Sequence, residues 1–189
     1  IDEEALPMKY EIDYVRVYQK KDEIASGEIW EDNNGRHINA HGGGVLFHEG
    51  RYYWFGEHRP AKGFSTEVGV TCYSSPDLCN WTYEGVALPV SSEEGNDIEK
   101  GCIMERPKVI YNATTGKFVM WFHLELKGEG YAAARAAVAV SDTPAGPYRF
   151  VRSCRVNPGV YPQNMTKAER KAKLVTKDYK TWWTPEWRR

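Results

Sequence analysis

Short runs of apolar residues, several of them alternating with polar ones, recur along the chain and predict β-strands. Eight such runs are separated by turns rich in Gly, Asn, Asp and Pro, which is the punctuation expected between short strands. Between residues 28 and 153 no stretch shows the 3.6-residue periodicity of a helix. The pattern predicts an all-β fold with strands at 44–47, 52–55, 68–73, 81–88, 108–111, 118–122, 133–140 and 148–153.

The strands fall into two groups that resemble each other. Tyr53-Trp54-Phe55 matches Met120-Trp121-Phe122, and Trp81 matches Tyr148, so both matches have a spacing of 67 residues (121 minus 54, 148 minus 81). A fixed period of this kind indicates units that bury their apolar faces by stacking on one another. Four strands per unit is the blade count of a β-propeller. We therefore predict propeller blades, with Trp54 and Trp121 as equivalent core positions.

The segments outside the two copies predict further organisation. Residues 8–18 alternate like a single strand without a local partner, and the charged residues after it suggest a linker. Thr166 opens a capping box and predicts a short basic helix, and the Trp-rich end of the chain suggests the approach to a third blade, so we expect about two to three blades. The predicted units are a strand remnant of a preceding β-sandwich at 1–19, a linker at 20–27, a partial propeller domain at 28–189 and, within it, a helix at 166–177.

Composition narrows the classes of function. A net charge of −1 among 189 residues gives no basic field for nucleic acid or anionic membranes, and no apolar run is long enough to span a membrane. The five histidines lack metal-ligand spacing, and no P-loop or GxGxxG motif is present. We predict neither metal nor cofactor. The spacing of Cys72 and Cys79 allows a disulfide, although buried free thiols are the preferred interpretation.

Two candidate site residues lie at the start of the first strand of each copy. When these strands are aligned, His41 falls opposite Glu105, with the turn of the second copy three residues longer. Asn39 lies beside His41, and Pro107 stiffens the strand entrance after Glu105. A salt bridge of Glu105 with Arg106 or Lys108 is the structural alternative to a functional role. We predict that these side chains face the axis of the propeller, with Glu105 as the catalytic candidate and Asn39 and His41 as substrate-binding candidates.

Two further candidates lie near later strand ends. Glu57 ends a very apolar strand, where a carboxylate must be solvated, paired or functional. Its pairing with Arg59 or Arg36 and its contact with a substrate are both open from the sequence. Tyr131 follows a glycine-rich loop before a strand, and packing is the simpler interpretation for it.

Five motifs follow one another along the chain, namely Gly35-Arg-His-Ile-Asn-Ala-His-Gly-Gly-Gly44, Tyr53-Trp-Phe-Gly-Glu57, Glu105-Arg-Pro-Lys-Val-Ile-Tyr-Asn112, Ala139-Val-Ser-Asp-Thr-Pro-Ala-Gly-Pro147 and Tyr161-Pro-Gln-Asn-Met165. Together they resemble glycoside hydrolase family 43, and within it the exo-β-1,3-galactanases. Residues 11–19 resemble the closing strand of a laminarinase-type β-sandwich of family 16.

The resemblance implies a five-bladed propeller that removes galactose from chain ends with inversion. It implies that Glu105 tunes the catalytic acid and holds substrate, that Glu57 binds the terminal galactose and that Tyr131 lines the same subsite. Ordinary members carry an Asp base where this chain has Asn39-Ala40-His41, a departure that the galactanase branch shares. The acid and the Gln that replaces the base are expected beyond residue 189, so the chain alone is expected to be inactive.

The predicted partner is a polysaccharide or oligosaccharide, and the full-length protein is expected to be secreted, periplasmic or at the cell surface. Two alternatives stay open at this stage. One is an arabinofuranosidase or xylosidase of the same family. The other is a non-catalytic carbohydrate-binding propeller.

Overall fold

The described residues form two four-stranded antiparallel sheets, one from each sequence copy. The computed structural model describes residues 21–131, 134–156 and 166–168. In both sheets each strand pairs with the next along the chain, which confirms the predicted all-β class for this part of the protein. The strands are β1 (His41–His48), β2 (Arg51–Glu57), β3 (Gly69–Ser75), β4 (Thr82–Pro89), β5 (Ile103–Asn112), β6 (Lys117–Glu125), β7 (Arg135–Ser141) and β8 (Arg149–Cys154).

The strand register corrects the alignment of the two copies by one residue. The β1–β2 turn lies between the paired residues His48 and Arg51, whereas the β5–β6 turn lies between Asn112 and Lys117. The second turn is therefore longer by two residues rather than three. As a result Trp54 occupies the position of Met120, and Phe55 occupies the position of Trp121. The predicted equivalence of Trp54 and Trp121 is wrong. Aligning the two tryptophans assumes a second turn that is three residues longer, whereas the register shows that it is longer by two.

The two sheets stack head to tail. Phe55 is fully buried and belongs to the same core cluster as Met120 of the second sheet. Met120 corresponds to Trp54, which points to the other face of the first sheet from Phe55, so the two sheets pack through non-equivalent faces. Trp121, the counterpart of Phe55, is 49% exposed. Trp121 therefore lies on a face of the second sheet that no described residue covers, whereas the corresponding face of the first sheet, with Phe55, packs against the second sheet.

The other face of the first sheet is covered by the segment before β1. The ring of Trp54 meets those of Trp30 and Trp81 edge-on, with centroid distances of 5.6 and 5.3 Å. Ile38 and Ala40 are buried in the same cluster. The segment before β1 therefore covers one face of the first sheet, just as the first sheet covers one face of the second. Its packing also fixes the position at which the chain enters β1.

Some predictions fall on residues that the structure does not describe. These are the strand remnant 1–19, most of the helix 166–177 and the Trp-rich segment 181–189. Of the predicted linker, Lys21 is held to the first sheet by Asn80, which accepts from its backbone N–H (2.9 Å) and donates to its carbonyl (2.7 Å). No helix in the described part of the chain is long and apolar enough to cross a membrane.

All four cysteines are free, so the possible Cys72–Cys79 disulfide is not formed. Cys72 and Cys102 are buried, and burial raises the pKa of the Cys102 thiol to about 12. Both are therefore neutral packing residues near neutral pH.

Candidate active site

Charged side chains from both sheets meet at one end of β1, β2 and β5. Glu57 is the last residue of β2, and Arg59 follows in the next loop. The Arg59 Nε atom lies 3.0 Å from Oε2 of Glu57, and its Nη2 atom lies 3.1 Å from Oε1 of Glu105. A single guanidinium thus joins two carboxylates that belong to different sheets. This places Glu57 and Glu105 in one cluster.

The pairing of the first strand of each sheet is irregular close to this cluster. The ladders of β1 and β5 both contain an irregularity, between His41 and Gly44 and between Glu105 and Lys108. Within it Gly42 and Arg106 both have left-handed backbones, with φ of 58° and 54°. The backbone therefore confirms that His41 and Glu105 occupy equivalent positions.

The left-handed conformation at Arg106 is costly for a residue with a side chain. Bulges next to active sites re-aim side chains, and here the bulge directs two neighbours at each other, since Arg106 Nη1 lies 2.9 Å from Oε2 of Glu105. Lys108, the other predicted partner, instead donates to the Gly43 carbonyl at 2.8 Å. Glu105 is therefore held between Arg59 and Arg106.

Histidine and glutamate exchange places between the two sheets. His41 is the register partner of Glu57, and Glu105 is the register partner of His123. The His41 Nδ1 atom lies 3.7 Å from Oε2 of Glu57 and accepts from Arg59 Nε at 3.3 Å. Two structurally equivalent positions thus carry the same pair of residue types in opposite order, and all four side chains lie at the same end of the sheets.

Sequence reasoning missed His123 and Glu125. The His123 Nε2 atom lies 3.1 Å from Oε1 of Glu125, whose side chain is buried. The signal that could have found them is the His-Leu-Glu alternation at the end of an apolar strand, because residues two apart on a strand share a face. Tyr131 lies beside this pair, with its ring centroid 5.5 Å from that of His123.

The Glu57 carboxylate is unusual because it is fully buried without a hydrogen bond. Its side chain is 0% exposed, and neither of its oxygens has a hydrogen-bond partner among the described residues. The ion pair with Arg59 holds one oxygen at short range, but the Nε–H is directed to His41 instead. Burial raises the pKa of Glu57 to about 7, with Glu105 adding to the rise while Arg59 and Arg106 oppose it.

The two residues that follow Glu57 in the chain share this lack of hydrogen-bond partners. Arg59 Nη1 and His58 Nδ1 are also buried without a hydrogen bond in the described part of the chain. Buried polar atoms are nearly always paired, so a cluster of exceptions requires an explanation. A hydroxyl group can both donate and accept, so a ligand that carries hydroxyl groups is chemically suited to the Glu57 carboxylate and the Arg59 guanidinium.

Asn39 anchors the loop that carries Arg59. Its Oδ1 atom accepts from the backbone N–H of Arg59 at 2.8 Å, and its Nδ2 atom donates to the Arg59 carbonyl at 2.9 Å. Of the two arginines considered as partners of Glu57, the structure thus selects Arg59. The predicted substrate contacts of Asn39, His41 and Tyr131 stay predictions.

Stacked four-stranded sheets are the blades of β-propellers, and here charged side chains of both sheets meet at one end of the strands. No protein-family model and no curated protein matches this chain. Solved structures do match, and they include family 43 glycoside hydrolases.

Three of these structures define the similarity. A family 43 β-1,3-galactosidase, solved with galactodeoxynojirimycin, is 74% identical with a TM-score of 0.74; the match covers 87% of this chain and 48% of that one. The exo-β-1,3-galactanase of Phanerochaete chrysosporium, solved with β-1,3-galactotriose, is 39% identical with a TM-score of 0.64, covering 70% and 30%. The exo-β-1,3-galactanase of Clostridium thermocellum is 47% identical with a TM-score of 0.61, covering 69% and 27%.

This chain is therefore similar to family 43 β-1,3-galactosidases and exo-β-1,3-galactanases over most of its length. It spans about half of the β-1,3-galactosidase and about a third of the fungal galactanase that it matches.

Proposed function

We propose that this chain is part of a family 43 exo-glycosidase that releases galactose from β-1,3-galactan with inversion. The observation that carries the proposal is the buried Glu57 carboxylate, which has no hydrogen bond among the described residues and is joined to Glu105 of the other sheet through its ion pair with Arg59. The relatives, at up to 74% identity among the three described above, are named for β-1,3-galactose-containing substrates.

Each predicted site residue has a role in this proposal. Glu57 and Arg59 bind hydroxyls of the terminal galactose, and His41 lies beside them at the entrance of β1. Glu105 holds the substrate and, as a negative charge near the proton donor, raises the pKa of that donor. Tyr131 lines the same subsite, while Asn39 keeps Arg59 in place.

Inverting hydrolysis needs a proton donor at the glycosidic oxygen and a second group that activates water on the opposite face of the sugar. These two groups stand roughly 6.5–9.5 Å apart to leave room for the water. We assign neither of them to the described residues, and we propose that later blades supply both. A propeller suits this division, because separate blades can place groups on opposite sides of one axial cleft.

The proposed complete fold is a five-bladed propeller. Head-to-tail stacking supports it, since the exposed Trp121 face corresponds to the face of the first sheet that the second sheet covers. The number of blades rests on the family resemblance.

Replacing Glu105 by Gln in the full-length protein tests the proposal. The variant keeps the size of the side chain but removes its charge, and we expect turnover of β-1,3-galactan to fall by about 10²-fold or more. Glu129→Gln, in an exposed loop, is the matched control and should keep wild-type turnover. Unchanged turnover in the Glu105 variant would remove that residue from the mechanism.

The substrate is tested separately with the wild-type protein. Release of galactose from β-1,3-galactan, with no pentose freed from arabinan or xylan, is the expected result. Release of arabinose or xylose instead would identify a pentose-specific member of the family. Binding of galactan without any hydrolysis would identify a carbohydrate-binding propeller.

We also propose that residues 1–19 end a family 16-like β-sandwich and that the protein acts outside the cytoplasm. The strand pattern of residues 8–18 supports the first point, and a polysaccharide substrate supports the second. Hydrolysis of laminarin by the full-length protein and its recovery in an extracytoplasmic fraction are the expected results.

A further inference from the structure

The loop between β2 and β3 presents an exposed phenylalanine next to the candidate site. Phe64 is 72% exposed, which is the highest value among the aromatic side chains of the described residues. A Phe ring at a loop tip that is open to solvent is accessible to the apolar face of a ligand.

This loop is fixed at both of its ends. At the first end the Asn39 amide holds the backbone of Arg59. At the second end Thr66 is fully buried, and its hydroxyl accepts from the backbone N–H of Met104 at 3.0 Å. The Thr66 N–H donates to the Cys102 carbonyl at 2.7 Å. Phe64 therefore lies in a short segment between two anchored residues, Arg59 and Thr66.

The Phe64 ring is also held from one side by the site itself. The guanidinium carbon of Arg59 lies 5.3 Å from the centroid of the ring, which is a cation–π distance. The same guanidinium binds Glu57 and Glu105. The ring is therefore positioned relative to the carboxylates, although its surface is open to solvent.

We infer that Phe64 is a stacking platform for the second galactose of the substrate, the one joined to the terminal residue that Glu57 binds. This inference rests on the proposed function. The axial hydroxyl of galactose leaves a face of C–H groups on the other side of the ring, and such a face packs against an aromatic ring. The buried polar cluster suits the hydroxyl-rich terminal sugar, whereas an exposed apolar ring suits the sugar that lies toward solvent.

Phe64→Ala in the full-length protein tests this inference, with substrates of different length. We expect KM for β-1,3-galactotriose to rise about 3- to 10-fold. The inhibition constant of free galactose, which fills only the terminal subsite, should change less than about 2-fold. Phe64→Trp keeps an aromatic ring and should stay close to wild type, and Phe64→Leu should resemble the Ala variant.

Phe47→Ala is the matched control, because Phe47 is an exposed phenylalanine (58%) near the opposite end of β1. It should alter neither constant. Melting temperatures of all variants report whether each one folds.

Two results would overturn the inference while leaving the proposed function intact. One is an unchanged KM for galactotriose in Phe64→Ala. The other is an equal rise for galactotriose and galactose, which would mean that Phe64 only positions Arg59. If the wild type instead cleaves β-1,4-xylotriose, the proposed function fails, and the same variants with that substrate and xylose decide the role of Phe64. A wild type that binds none of these sugars rejects both.

Discussion

At the scale of single residues, Glu57 links stability to pH. Burial raises its pKa from 4.5 to about 7, so between these values the folded chain keeps a proton that the unfolded chain has released. Protonation therefore stabilises the fold fully below about pH 4.5, and this contribution is lost as the pH rises through 7. The expected loss is on the order of 3 kcal/mol.

Urea unfolding of the full-length protein at pH 5 and pH 8 measures this effect. Glu57→Gln cannot titrate, so its unfolding free energy should change less between the two pH values than that of the wild type. Glu129→Gln should keep the wild-type difference. Equal pH dependence in wild type and Glu57→Gln would show that Glu57 titrates normally.

At the scale of strands, Gly56 allows β2 to lie against the segment that enters β1. A Cβ atom at this position would lie 2.1 Å from the carbonyl carbon of Ala40. Gly56→Ala should therefore push residues 39–41 away and cost about 3 kcal/mol of stability. Because Asn39 and His41 move with this segment, galactan turnover should fall as well.

Gly50→Ala is the control for the change of residue type. Gly50 has a φ of 78°, but an added Cβ would meet no atom within 4 Å, so only the left-handed conformation is penalised, by about 1 kcal/mol. Thermal unfolding compares the two variants. Equal melting temperatures for Gly56→Ala and Gly50→Ala would show that the backbone at residue 40 leaves room for a Cβ atom at position 56.

The strands were predictable from the sequence, whereas the exact register was not. Periodicity and turn residues located all eight strands, because these signals are local. The alignment of Trp54 with Trp121 failed because a hairpin register depends on turn length. In the site, His41 and Glu105 were found by comparing strand entrances. His123 and Glu125 were missed because pairing across strands is non-local, and Arg59 was considered only as a salt-bridge partner.

At the scale of the whole molecule, the uncovered face of the second sheet determines how the chain behaves alone. Trp121 and Ile110 are 49% and 56% exposed, whereas their counterparts Phe55 and Leu46 pack into the core between the sheets. Produced without the further blades proposed above, the chain should aggregate or melt at low temperature. A soluble monomer with a sharp unfolding transition in calorimetry would contradict this expectation.

The substitution Trp121→Lys should have opposite effects in the isolated chain and in the full-length protein. In the isolated chain the charge should reduce aggregation, as measured by light scattering. In the full-length protein the same change should lower the melting temperature, because a further sheet covers that position in the proposed propeller. A full-length variant with unchanged melting temperature would show that nothing packs on this face.

The Arg59 bridge makes the candidate site sensitive to slippage between the sheets. Its two ends are attached to separate layers, so a displacement of about an ångström within the packed interior would pull one carboxylate out of reach. Met120 is fully buried in the core between the two layers, so substitutions that disturb its packing should lower turnover through misalignment of the layers.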